Sequence, residues 1–459
     1  MTDETSDKLT RRNALRIAGA AGAASLAGCG GDGGSGGDGG SDGGSDGGSD
    51  GGSDGGSDGE STSTTTQTLE VAHWWGSGDG NKAINALFEG FKEAYPNVDT
   101  NDNLVAGGAG TNLRTNIRTR IQNGNHPSTW QAWPGKNLIP FTDANLLEDI
   151  EDSVWSENSM KDAYLQGPKN VAQPAGNYVT VPLNIHRINN LFYNSNVLEE
   201  AGVDPSSLST PSDVTDALAA VDEAGYTGMA HQTGSAWSTT QMFATIFLAQ
   251  TDAETYNATW VEGNISANED AIANALDTVR AYSDYYPSDA GSISFTEANT
   301  MIIDGEAGFI HQGDWAAGAY FGVEDFAYEE DWGQVTFPGT DGYYMLNMDS
   351  FPYPTANPSP EATTYWCRYC GSKEGQRLFN PLKGSIPPRS DVSTEPFNAF
   401  STDQIEDFTN SEAQPPSLQH GLAVKPSVKS GVGSAISALI TGSSNSEVIS
   451  QIEDAYSNL

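Results

Sequence analysis

The chain has 459 residues, enough for about two domains, and carries 21 Lys and Arg against 61 Asp and Glu, a formal net charge of −40. That balance excludes nucleic acid as a partner, because a phosphate backbone demands a basic surface, and it repels an anionic membrane surface. The acid excess is spread along the whole chain, for example over 148–152 and 324–331, so it reads as a solvated surface and carries no chemistry by itself.

Arg11-Arg12 opens a short basic segment, Thr10-Arg11-Arg12-Asn13-Ala14-Leu15-Arg16. A weakly apolar stretch over 17–27 follows, ending in Leu26-Ala27-Gly28-Cys29. Paired arginines before such a stretch look like a twin-arginine export signal. The last four residues resemble a lipobox, in which Cys29 becomes the lipidated first residue of the mature protein. Residues 1–29 are therefore expected to be a signal, and the mature protein to sit on the extracellular face of the membrane, held by a lipid anchor only. Residues 30–68 are Gly-Gly-Ser-Asp units and then a Ser/Thr run. They offer no apolar face to bury and read as a flexible spacer, with a root-mean-square reach of roughly 35 Å. No later apolar run approaches the ~20 residues that span a bilayer.

Order is expected from Leu69. Leu69-Glu70-Val71-Ala72-His73-Trp74-Trp75 alternates as a strand does. The segment 83–95 has apolar residues at 84, 87, 88, 91 and 94–95, which is helical spacing, and Pro96 stops it. A strand over 97–105 and a helix over 112–122 follow. Further helices are expected over 212–223, 237–249, 269–285, 296–304, 362–378 and 446–456. Strand–helix alternation predicts an α/β architecture with largely parallel sheets.

Trp74-Trp75 closes the first strand, just before Gly76-Ser77-Gly78-Asp79-Gly80. Ligands of open α/β sheets bind at that end of the strands. Aromatic faces stack on the C–H faces of sugar rings, while carboxylates and amides grip hydroxyls. Gly107-Gly108-Ala109-Gly110-Thr111-Asn112 precedes a helix and lacks both P-loop and dinucleotide spacing. It reads as a tight turn that brings backbone N–H groups to a polar ligand. The six histidines, 73, 126, 186, 231, 311 and 420, show no metal-ligand spacing. Cys367-Arg368-Tyr369-Cys370 lies in a helical pattern with no second Cys pair, so its thiols read as buried small hydrophobes. No metal and no cofactor is expected.

Taken together, several segments resemble an extracellular solute-binding protein of an ABC importer, of the large carbohydrate-binding group and nearest its glucose/mannose-binding branch. They are Trp74-Trp75, Gly107-Gly108-Ala109-Gly110, Trp130-Gln131-Ala132-Trp133 and Val181-Pro182-Leu183-Asn184-Ile185-His186-Arg187, then Gly313-Asp314-Trp315-Ala316-Ala317-Gly318 and Asp349-Ser350-Phe351. The most specific are Phe379-Asn380-Pro381-Leu382-Lys383-Gly384-Ser385-Ile386 and Ser417-Leu418-Gln419-His420-Gly421. The acidic surface is similar to that of proteins from salt-loving organisms, and the signal to that of a halophilic archaeal lipoprotein.

The resemblance implies two α/β lobes of the type II, family 1 periplasmic-binding-protein kind, joined by two or three crossing strands, with a sugar held in the cleft. The expected lobes are 69–183 with 315–348, and 184–314 with 349–459. Carried over residue by residue, the expected ligand-binding set is Trp74, Trp75, Gln131, Asp349, Lys383 and His420. Trp315 joins it as a second stacking ring, and Asp79, Gly108 and Thr111 as turn residues. Trp133 stands where the relatives carry His, which puts the sugar in question. His186 and Arg187 are expected to serve the lobe crossover. The expected function is capture of a monosaccharide, glucose or a related hexose, and its delivery to the permease by a monomeric receptor that catalyses nothing. A tethered oligosaccharide receptor and a secreted glycoside hydrolase are the alternatives. The second needs two cleft carboxylates at defined spacing.

Overall fold

The computed structural model describes residues 68–107 and 110–457. The expected signal with Cys29, and the expected spacer up to residue 67, lie outside the described residues.

The first half of the chain supplies β1 (Thr68–His73), α1 (Gly78–Ala94), β2 (Asp99–Leu104), α2 (Thr111–Gln122) and β3 (Thr129–Trp130). Then come β4 (Thr180–Pro182), β5 (His186–Arg187), β6 (Asn190–Asn194), α3 (Pro211–Glu223) and β7 (Thr227–Met229). They are followed by α4 (Ala236–Gln250), α5 (Glu269–Ser283), α6 (Phe295–Ile303), β8 (Ala307–Gln312) and α7 (Trp315–Tyr320). The last third holds β9 (Trp332–Thr336), β10 (Leu346–Asn347), β11 (Ser350–Pro352), α8 (Pro360–Cys370), α9 (Lys373–Lys383), α10 (Pro426–Ile440) and α11 (Asn445–Ser457).

Local chemistry accounts for these elements. In α1 the residues at helical spacing, Ile84, Leu87, Phe88 and Phe91, form the buried stripe. Capping boxes start α3 (Thr210 with Asp213) and α6 (Ser294 with Glu297). The single helix expected over 362–378 is two helices. The chain breaks at Gly371, and the Ser372 hydroxyl accepts from Gly375 N–H to cap α9.

Two lobes result. In the first, a parallel sheet of order β2-β1-β3 packs on α1 and on the returning helices α8 and α9. Trp366 of α8 is fully buried there, with ring centroids 5.0 Å from Phe88, 5.2 Å from Phe91 and 5.3 Å from Phe351. Truncating it to Ala removes about 3–5 kcal/mol. Cys367 and Cys370 are free and buried in the same cluster. The second lobe has a four-stranded sheet of order β7-β8-β6-β9, with α3, α4, α5, α10 and α11 around it. This sheet is mixed: β6 is antiparallel to both neighbours and only β7–β8 is parallel. The expectation of largely parallel sheets thus holds in the first lobe only.

The packing also divides the chain differently from the expected boundaries. Phe351, Tyr353, Ala362, Trp366 and Phe379 share a core with Leu69 and Val71, which places 349–383 with the first lobe. Ala316, Ala317, Tyr320 and Trp332 pack on Phe192 and Ile310, which places this part of 315–348 with the second. The chain crosses between lobes at β4–β11 and β5–β10, both antiparallel, with Ile185 paired to Ile386 beside them.

Candidate ligand-binding site

A cleft of about 710 Å³ opens where these crossings meet the strand ends. It falls within the roughly 300–1,000 Å³ usual for small-molecule sites. Of the expected residues, Trp74, Trp75, Asp79, Thr111, Trp133, Trp315, Asp349, Lys383 and His420 line it. Gly108 lies outside the described residues. Gln131 does not line it: the side chain is fully buried behind Trp74.

The two rings that end β1 differ. Trp75 is 6% exposed and packs on Phe379 at 5.1 Å, so most of it is core. Trp74 is half-buried and offers its ring to the cleft, edge-on to Trp133 at 5.6 Å. Gln131 fixes this arrangement from behind. Its Oε1 accepts from Trp74 N–H at 3.1 Å and its Nε2 donates to Asp349 Oδ1 at 2.9 Å.

Asp349 sits between β10 and β11, buried in a polar network. Asn184 Nδ2 donates to its Oδ2 at 3.1 Å, Asp349 N–H donates to Asn184 Oδ1 at 2.7 Å, and His186 Nε2 lies 3.5 Å from Oδ2. Burial alone would raise its pKa. The hydrogen bond and charge of His186, with Gln131 and Lys383, outweigh that and hold it below the usual carboxylate value. His186 also bonds through Nδ1 to the buried Asp314. Burial is the largest influence and pulls the imidazole down, but the charge and hydrogen bond of Asp314 together with the hydrogen bond of Asp349 outweigh it, and the pKa is raised. The expectation that His186 serves only the crossover is therefore corrected, because its ring also reaches the cleft wall. Arg187 does stay at the crossover, held by Asp407 at 2.5 Å and Thr336 Oγ1 at 2.8 Å.

Lys383 ends α9 and is 5% exposed, with Nζ 2.5 Å from Asp79 Oδ2 in the first turn of α1. The turn behind it needs glycine. Gly384 has φ of +73°, and a Cβ there would stand 3.1 Å from both Asp314 O and Gly318 N. His420 donates or accepts through Nδ1 with Ser417 Oγ at 2.7 Å. Burial and the nearby Lys429 hold its pKa well below the ordinary value, so the ring is neutral at pH 7. Trp315 stands edge-on to His186 at 5.2 Å and to His420 at 5.7 Å.

Sequence reasoning missed Trp237, Phe295, Arg114, Asn347 and Lys429, which also line the cleft. Trp237 had a signal. It follows Gly234-Ser235 at the start of α4, as Trp74 and Trp75 precede α1. Trp237 Nε1 and Asn347 Oδ1 are buried and find no partner in the protein among the described residues. One is a donor and one an acceptor, so a ligand with hydroxyls can satisfy both.

The cleft carboxylates are Asp79, paired with Lys383, and Asp349, held ionised in its network. A glycosidase acid needs a raised pKa, and Asp349 is shifted the other way, while Asp79 is tied up in its ion pair with Lys383. Among the described residues no group of three or more His, Cys, Asp or Glu could hold a metal, and no helix is long and apolar enough to cross a membrane.

A family model described as bacterial extracellular solute-binding protein matches residues 86–407. The chain belongs to that family. A xylose/arabinose-binding protein of Haloferax volcanii is 40% identical over 360 residues, covering 78% of this chain and 77% of that one. An uncharacterized ABC transporter extracellular-binding protein of Pyrococcus horikoshii is 33% identical over 393 residues, 85% of this chain and 87% of its own. Among solved structures, a chitin oligosaccharide binding protein superposes with a TM-score of 0.75 at 16% identity, covering 86% of this chain and 98% of that one. The maltose-bound MalE3 of T. maritima gives 0.67 at 16%, covering 86% and 100%. These likenesses show the two-lobed fold. The relatives are solute-binding receptors, and this solute-binding protein is not an enzyme.

Proposed function

We propose that this solute-binding protein is the substrate-binding component of an ABC sugar importer. It captures a monosaccharide aldose, glucose or a pentose, and hands it to the permease. The observation that carries the reading is the cleft wall. Half-buried Trp74, Trp237 and Trp315 line it, and the unpartnered Trp237 Nε1 and Asn347 Oδ1 belong to the same lining. Flat apolar faces beside orphan donors and acceptors suit a ring with C–H faces and a rim of hydroxyls. Glucose follows from the resemblance of the Gln131, Asp349, Lys383 and His420 segments. A pentose follows from the xylose/arabinose-binding relative.

Calorimetric titration with glucose, mannose, galactose, xylose and arabinose tests this. Saturable binding of at least one supports it. Absence of heat with all five, while a disaccharide binds, would transfer the reading to an oligosaccharide receptor. The Arg11-Arg12 signal and Cys29 make it a lipid-anchored protein exported by the twin-arginine route. Cys29→Ser should release the folded domain from the membrane fraction, and retention with its lipid mass intact would refute the anchor.

A further inference from the structure

Lys429 stands out in the cleft. In a chain with 21 bases against 61 acids, three bases line one cavity: Arg114, Lys383 and Lys429. Lys383 has Asp79 as its ion-pair partner. Lys429 is partly buried, and the charges that push its pKa down are those of Arg114 and Arg118. Its ammonium lies over the Trp133 ring, 5.0 Å from the centre, and the Arg114 guanidinium lies over the same ring at 4.8 Å.

This placement works against stability. Lys429 is in the first turn of α10, where the helix dipole is positive and a cation is disfavoured. Burial, with the like charges of Arg114 and Arg118, drops its pKa to about 7. Arg114 comes from α2 of the first lobe, and α10 belongs to the second. Two cations from opposite lobes are therefore held against one indole, and no carboxylate in ion-pair distance of Lys429 separates them among the described residues. The Trp133 π-face relieves part of the cost. Arg114 also donates to Thr111 Oγ1 at 2.8 Å, so an anion reaching both cations would add to bonds already made and would relieve the rest of the cost at Lys429.

We propose that Lys429 and Arg114, both packed against the Trp133 ring, form a carboxylate subsite of the cleft, so that the preferred ligand is an acidic sugar. This rests on the sugar-receptor reading above and shifts the preferred ligand from the neutral aldose to its acid. The neutral aldose then occupies the same aromatic walls without filling the charged corner. The outer acidic surface does not oppose the anion in salty water, since the screening length at 1 M is about 3 Å.

The test uses matched ligands on the protein without its signal, titrated calorimetrically in molar KCl. The pairs are glucuronate with glucose and galacturonate with galactose, in which acid and parent share the same pyranose ring; inorganic phosphate is a further arm. At least one acid should bind about tenfold to a hundredfold more tightly than its neutral parent, the range of a charge-assisted contact. In Lys429→Met that acid-to-neutral ratio should fall at least about tenfold, and Lys429→Arg should keep most of it. Melting without ligand checks that each variant folds, and Arg114→Met gives a second, independent loss of the ratio. Neutral sugars binding as tightly as their acids would overturn the subsite and leave the receptor reading standing. No binding of any sugar, neutral or acidic, would remove both. Phosphate binding as tightly as the best acid would show an anion hole without sugar recognition, and would overturn the proposal too.

Discussion

Replacing Asp349 by Ala should unfold the protein more readily as well as weaken its ligand. The side chain is 4% exposed and receives hydrogen bonds from Gln131 Nε2 and Asn184 Nδ2, with His186 Nε2 beside it. Truncation leaves these buried donors without an acceptor, at about 1–3 kcal/mol each. It also removes the charge facing His186, and breaking one side of a buried pair costs about 3–5 kcal/mol. The groups form one network, so the costs do not add, and the whole loss should be on the order of 3–5 kcal/mol. For a lobe of this size that lowers the melting temperature by roughly 6–20 °C. Asp349→Asn keeps the shape and one acceptor and should fall between the two. Without Asp349, Gln131 also loses its anchor, and with it the bond that fixes Trp74 N–H. The ligand affinity should therefore drop at least about tenfold in both variants. Thermal melts without sugar, followed by titrations well below the melting point, measure the two effects. An Ala variant that melts within about 2 °C of wild type would refute this reasoning and make Asp349 a ligand group with no structural duty.

Acid should destabilise the second lobe through two buried imidazoles. Burial pushes His231 and His311 down to about 3, so both are neutral in the folded state and take up protons near 6.5 once unfolded. Their contribution is present above pH 6.5 and is lost as pH falls towards 3, with a slope of about 2.7 kcal/mol per pH unit for two protons. Urea midpoints from pH 7 to 4.5 should show it, and a slope unchanged in the doubly substituted His231→Gln, His311→Gln protein would count against it. Low salt should lower the melting temperature, because a net charge of −40 repels itself when unscreened; a flat response from low to molar KCl contradicts this. Trp133→His should remove the platform under Arg114 and Lys429 and the 4.7 Å edge contact with His420. The order of affinities for glucose, mannose, galactose and xylose should change. An identical order in both proteins would confine Trp133 to packing.

The parts of the site that were legible in the sequence are those set by local rules. Trp74 and Trp75 mark a strand end because alternation stops there and a glycine turn follows, and the structure places both at the mouth of α1. Trp237 obeys a similar rule, but its strand, β7, has only Thr227–Met229, too short to show alternation. The helix break at Gly371 was missed because apolar spacing continues across it while the Ser372 cap ends one helix and begins another. The lobe boundaries failed for a different reason. β10 and β11 are two and three residues long, and what assigns 349–383 to the first lobe is packing on α1 and β1, not any period of its own.

The polar framework of the cleft lies beyond local rules altogether. Gln131 meets Asp349 across 218 positions, Asn184 meets it across 165, and Lys383 meets Asp79 across 304. Sequence spacing carries no trace of such pairs, so Gln131 looked like a ligand group when its amide is spent inside the protein. The same reasoning separates Lys383 from Lys429. Lys383 has its carboxylate built in, whereas Lys429, which the sequence did not single out, is in no ion pair among the described residues and feels the charges of Arg114 and Arg118. A residue whose partner is already present in the fold supports the wall of a binding site. A residue whose partner is missing from it, in a cavity with room for one, is where ligand selectivity should be sought. Trp237 Nε1, Asn347 Oδ1 and the Lys429 ammonium meet that criterion in this cleft, and together they ask for a ligand with hydroxyls and a negative charge.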